Sequence, residues 1–171
     1  KVMTSGVYNI LIGATAGDAI TTAEKNVAIG YGALGTEDTH GKNIAIGDSA
    51  LTLLNAGAYG FNVAVGVEAG KAMTTGVKNT IIGSLAGDSL TTGILNVALG
   101  YQALNTEDTG NKNVAIGSDV LKNLNYNGDG FNTSVGHNSG YAMTTGIHNT
   151  LIGGLAGDAL TTGSENVAIG Y

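Results

Sequence analysis

Short apolar triplets, each opened by asparagine and closed by glycine, alternate along the chain with stretches of threonine, glycine, asparagine and acidic residues. The clearest copy is Asn26-Val27-Ala28-Ile29-Gly30, and related phrases begin at Asn9, Asn43, Asn62, Asn79, Asn96, Asn113, Asn132, Asn149 and Asn166. The closing glycines are Gly13, Gly30, Gly47, Gly66, Gly83, Gly100, Gly117, Gly136, Gly153 and Gly170; the intervals ending at Gly66 and Gly136 are longer than the rest, so the spacing repeats every four copies. Each copy is too small to bury its own apolar face, so self-similarity at this period predicts stacked coils rather than a globule. The expected fold is all-β: one parallel β-solenoid of about ten 17–19-residue coils over residues 1–171, roughly 45–50 Å long at the usual strand spacing. Both ends fall inside a repeat, which predicts a segment of a longer array.

Side chains alternate along an extended strand, so the first and third residues of each triplet share a face. Placing the larger residues inside predicts a core of Val27, Ile29, Ile44, Ile46, Val63, Val65, Val97, Leu99, Val114 and Ile116, with Ala28 and its counterparts outward. The outward position is Leu11, Ile81 and Leu151 in three copies, each four coils from the last. Outward aliphatics imply a covered surface, and these three are the candidate subunit interface of a homotrimer or other homo-oligomer. A second strand is expected after each glycine, at Ala33-Leu34, Ala50-Leu51, Ala103-Leu104 and Val120-Leu121. In the alternate coils a glycine replaces that leucine and a large residue arrives three positions later, at Ile20, Met73, Leu90, Met143 and Leu160. The remaining stretches are turn formers without a helical apolar stripe. The motif asparagine is expected either to form an amide ladder or to take a left-handed turn conformation.

Composition sharpens this picture. There are 29 Gly and no Pro, Cys or Trp, and the formal net charge is −6. Small residues suit tightly stacked rungs. The acidic balance argues against nucleic acid or an anionic membrane as partner, since both call for a basic face; the lysines look scattered. No apolar run is long enough for a membrane helix, and no signal peptide opens the chain. Without cysteine there is neither a disulfide framework nor a thiolate metal site.

No catalytic constellation emerges. His40, His137 and His148 share no repeat position, and Asp18, Asp88 and Asp158 recur once per four coils without forming a dyad, so an enzyme is not expected. Calcium-binding β-rolls carry Gly-Gly-x-Gly-x-Asp in every coil. Here acidic residues cluster only at Glu37-Asp38 and Glu107-Asp108, with Asp129 in a long loop, and no metal or cofactor is expected. Threonine pairs such as Thr21-Thr22 and Thr74-Thr75 are missing from the intervening coils, which leaves no regular ice-binding plane. Asn132-Thr133-Ser134 matches a glycosylation sequon but is one copy of the motif. The surface aromatics Tyr31, Tyr59, Phe61, Tyr101, Tyr126 and Phe131 are the candidates for stacking on a ligand such as a glycan, or for sealing loops and subunit contacts.

The phrase Asn26 to Gly30 resembles the core repeat NSVAIG of trimeric autotransporter adhesin heads. The longer runs Asn26 to Leu34 and Asn96 to Leu104 are more similar still to the NTAIGYQAL repeats in shafts of bacteriophage tail fibres and related surface fibres. The resemblance covers the whole chain. It implies a left-handed β-roll, three chains to a trimer, and an extracellular location on a virion or cell surface; such shafts often continue into a self-cleaving chaperone domain of the endosialidase type. The expected function is a structural fibre shaft or adhesin segment that supplies reach, rigidity and host or surface attachment. The alternative is a ligand-binding β-roll module that holds glycan or calcium in the enlarged loops.

Overall fold

The computed structural model describes residues 3–171; Lys1 and Val2, which open the first copy of the superperiod, lie outside the described residues. The fold is a parallel β-solenoid. Its ten strands are β1 (Ile10–Ile12), β2 (Val27–Ile29), β3 (Ile44–Ile46), β4 (Val63–Val65), β5 (Thr80–Ile82), β6 (Val97–Leu99), β7 (Val114–Ile116), β8 (Thr133–Val135), β9 (Thr150–Ile152) and β10 (Val167–Ile169). They form one sheet in strict sequence order, every pair parallel and in register, so that Val27 faces Ile44 and Ala28 faces Ala45. Each coil therefore returns one strand spacing, about 4.8 Å, from where it began.

The strand accounts for only three residues per coil, and tight turns carry the rest. Where a second strand was expected, Leu34, Leu51, Leu104 and Leu121 instead hold φ near 50° (52°, 49°, 53° and 48°) in turns. The left-handed conformation costs a leucine about 1–2 kcal/mol. All four are fully buried, and burying a leucine contributes about 1.5–3 kcal/mol, which covers that cost. The residue before each motif asparagine is also left-handed, as at Lys42 (φ 64°) and Phe61 (φ 50°), and turns the chain into the strand. The motif glycines take φ values that a side chain would strain. A Cβ on Gly117 (φ 137°) would lie 2.7 Å from the Gly136 carbonyl oxygen in the next coil, so rung spacing itself demands glycine there.

The two faces of the sheet are the reverse of the expectation. Ala28, Ala45, Ala64, Ala98 and Ala115 point inward and are buried, whereas Val27, Ile29 and their counterparts point outward and are partly or largely exposed. The physical reason is width. Leucine, isoleucine and methionine side chains from the turns already fill the interior, leaving room for only a methyl group at most strand centres. Ile81 and Leu151 are accordingly buried within their own chain, and Leu11 packs against the same core; none of the three lies on an outward subunit interface.

Those three larger strand centres are balanced by a glycine in the turn that follows. A Cβ on Gly17 would come 2.7 Å from Leu11 Cδ2, one on Gly87 3.3 Å from Ile81 Cδ1, and one on Gly157 2.9 Å from Leu151 Cδ2. The coils centred on Ala28, Ala45, Ala98 and Ala115 carry a buried leucine at that place instead, as in Ala98 with Leu104. Ala64 and Ser134 are followed by Gly70 and Gly140, where a Cβ would come 2.9 Å from Leu51 Cδ2 and 2.7 Å from Leu121 Cδ2 of the coil before. One volume is divided in three ways.

Asparagine ties the coils together from inside. The backbone N–H of each motif asparagine donates to the Oδ1 of the one before it: Asn43 to Asn26 at 3.0 Å, Asn79 to Asn62 at 3.0 Å, Asn96 to Asn79 at 2.9 Å and Asn113 to Asn96 at 3.0 Å. The amide nitrogen then donates across the coil, from Asn79 to the Gly93 carbonyl and from Asn96 to the Gly110 carbonyl, both at 2.8 Å. Of the two roles expected for this residue, the structure uses the ladder; the left-handed position is its predecessor. The first threonine of four pairs supports the far corner, with Thr21, Thr74, Thr91 and Thr144 hydroxyls donating to a carbonyl of the next coil.

The size exchange can be tested by a double-mutant cycle in the central coil. Ile81→Ala should cost about 2–5 kcal/mol through the cavity it leaves, and Gly87→Leu should destabilise by crowding Ile81. Combined, they recreate the alanine–leucine pairing of the next coil. The expected outcome in denaturant unfolding is a favourable coupling of about 0.5–3 kcal/mol between the two sites.

Candidate interaction face

The outward side of the sheet is a strip two side chains wide and ten rungs long. The third strand position is aliphatic in all ten strands, from Ile12 to Ile169, and the first is aliphatic in seven and threonine at Thr80, Thr133 and Thr150. Several members are well exposed, including Ile12 at 58%, Leu99 at 41% and Ile152 at 40%. With about 4.8 Å per rung and about 10 Å of strand width, the strip covers roughly 400 Å². An apolar patch of that size matches the largest on an ordinary monomer, and such patches are often functional.

Different residues border its two long edges. Past the motif glycine stand Tyr31, Val67 and Tyr101, exposed at 62%, 50% and 50%. At the other edge, in the left-handed position before each asparagine, lie Lys25, Lys42, Lys78 and Lys112, with Phe61, Leu95 and Phe131 at intervening rungs. Four of the seven lysines, scattered in the sequence, thus fall into one file. The candidate aromatics do not form one group: Tyr31 and Tyr101 border one edge, Tyr59, Phe61 and Phe131 the other, and Tyr126 is partly buried against the core. Tyr59 and Phe61 meet edge-on with centroids 6.2 Å apart, and Phe131 stacks on His148 at 5.3 Å. Among the described residues, no three His, Asp or Glu gather as a metal site.

The enlarged coils are braced by a device the sequence reading missed. Glu37 and Glu107 are fully buried, at the coil position occupied elsewhere by Ile20, Leu54, Met73, Leu90, Leu124 and Met143. Each carboxylate spans two coils. Glu37 Oε1 accepts from the His40 N–H at 3.0 Å and Oε2 from the Ala56 N–H at 3.4 Å. Glu107 accepts from the Gly110 N–H at 2.7 Å and the Tyr126 N–H at 3.2 Å. Ala56 and Tyr126 lie in the two enlarged coils, so the glutamate directly beneath each of these coils anchors its loop. The available signal was Glu37 and Glu107 standing in register with a column of large apolar residues.

Comparison with protein-family models, curated proteins and solved structures yields no match.

Burial raises the pKa of both glutamates, outweighing the opposing effect of their backbone donors. A group whose folded pKa is raised binds its proton more tightly in the native state. Its favourable contribution is complete below the ordinary carboxylate value and is lost as pH rises through the raised one. The thermal midpoint should therefore climb as pH is lowered from 7 towards the ordinary carboxylate range, and the Glu37→Gln/Glu107→Gln variant should flatten that climb in a pH series of melting curves.

Proposed function

We propose that this chain is a segment of a structural fibre shaft, on a virion tail or cell surface, in which three copies pack side by side along their aliphatic strips. The observation that carries this reading is the continuity of the outward strip over all ten rungs. A partner that covers it must repeat at one strand spacing for its whole length, and a parallel copy of the same rod satisfies that condition. The chemistry of the strip also suits a buried interface, being largely β-branched aliphatics with three threonines and no charge. Because each coil adds the same strip and the same axial hydrogen bonds, stability and length grow together, as a shaft requires.

In this reading the protein's work is mechanical. Axial bonding is borne by the sheet and the asparagine ladder, and lateral stiffness by the contact between rods. The trimer axis passes along Val27, Ile29, Val97, Leu99, Val114 and Ile116, residues first expected inside the coil. Attachment to a host or surface would fall to the edges and enlarged coils, which such an assembly leaves as its most varied features.

Light scattering over a range of concentrations tests this. The expected mass is three times the single-chain mass of 17.0 kDa. Leu99→Asp combined with Ile116→Asp should reduce it to one chain while the circular dichroism of the roll persists. A wild-type chain that stays at single-chain mass would sink the proposal.

A further inference from the structure

The corner where the chain enters β4 carries an arrangement that neither axial bonding nor packing between rods explains. The Tyr59 and Phe61 rings stand edge to face and are exposed at 45% and 50%. The Tyr59 hydroxyl is anchored by donation to Glu24 Oε1 at 3.2 Å. Lys42, one rung before, places its Nζ 3.6 Å from the Tyr59 ring centroid and 5.3 Å from that of Phe61. Lys78, one rung beyond Phe61, is exposed and has no ion-pair partner among the described residues. Lys42, Phe61 and Lys78 all hold left-handed backbone, with φ of 64°, 50° and 61°, which fixes where their side chains leave the corner before any ligand arrives.

We propose that Lys42, Tyr59, Phe61 and Lys78 form a binding site for a carboxylated sugar. The C–H face of a pyranose lies against the exposed Phe61 ring, beside the Lys42 ammonium that covers Tyr59. The carboxylate is received by the two ammonium groups, whose backbones stand two rungs, about 9.6 Å, apart, within converging reach of two lysine stems. A neutral sugar would use the rings and leave both cations idle. A nucleic-acid duplex presents a phosphate about every 3.4 Å along each strand and needs an extended basic surface. This chain carries a net charge of −6 and offers two unneutralised cations at the corner, so duplex binding does not fit.

The same corner recurs four coils later in a self-occupied form. Asp129 stands in the place of Tyr59, with its carboxylate 2.6 Å from Lys112 Nζ. His148 stands in the place of Lys78 and covers Phe131, their ring planes 20° apart. There the chain supplies its own carboxylate to the lysine and its own flat ring to the phenylalanine. At the first corner both partners are missing from the protein, and a sugar acid provides the carboxylate together with a flat apolar face.

The site goes beyond the shaft reading and does not depend on it. Titration with trigalacturonate, against maltotriose as the neutral control, tests it on the wild-type chain, with the mass of each sample measured alongside. The expected result is saturable binding of trigalacturonate at least tenfold tighter than maltotriose. Lys78→Gln and Phe61→Ala should each weaken it at least tenfold, and Lys112→Gln and Phe131→Ala less than twofold. Equal binding of the two sugars, equal sensitivity at the second corner, or no saturable binding would overturn the proposal. A sample of three-chain mass that fails to bind counts against the sugar site alone; one that binds at single-chain mass counts against the shaft alone.

Discussion

The structure depends on a buried polar column: the asparagine whose side-chain oxygen accepts the backbone N–H of the next asparagine. An amide inside a narrow coil must find partners or impose a cost of about 1–3 kcal/mol. Here most ladder amides find them on both sides, and each bond can form only if the next coil returns in register. The column thus converts a local need into a rule for the whole array. It also explains why asparagine and the alanine two residues later share the inner face. The same parity sends the valine and isoleucine outward, so the ladder and the aliphatic strip are two results of one register choice.

Within that rule, stability is distributed unevenly. Coils with leucine in the left-handed turn and coils with a large strand centre opposite glycine fill equivalent volumes by different means. Two coils place a glutamate where the others place an aliphatic side chain. Among the described residues, the ladder's unpartnered amide nitrogens, at Asn26 and Asn113, sit in the same neighbourhood: one in the coil of Glu37, the other in the coil that follows Glu107. The glutamates offset part of their burial by tethering the enlarged loops, so the surface elaborations are tied to the least apolar parts of the core.

Much of the architecture was legible in the sequence. The Asn-to-Gly spacing alone gives coil number, parallel pairing and the place of the enlarged coils, because period and register are properties of the chain. Which face is inside does not follow from side-chain size along the strand, because volume supplied from the turns fills the interior. Leu34, Leu51, Leu104 and Leu121 look like strand residues, and nothing local announces that they enter the core from left-handed turns. Once they do, Val27 and Ile29 have no room within. The parity of Asn26 with Ala28 held the answer, because a repeated buried amide fixes the inner face more firmly than aliphatic bulk. Nor could spacing alone reveal the lysine file, which exists only when equivalent positions of successive coils are superposed.

The aliphatic strip is nearly identical from rung to rung, so rods packed along it could slide by one rung and keep almost the same contacts. Uniform apolar faces specify register weakly. The enlarged coils, however, recur only once in every four coils. On rods packed in this way they would act as the coarse marks act on a vernier scale: fine divisions allow many near matches, and coarse ones coincide only when the rods are aligned or displaced by a whole superperiod. A fibre built this way would have few alignment errors, each a whole multiple of four coils, and its length would be counted in those larger steps.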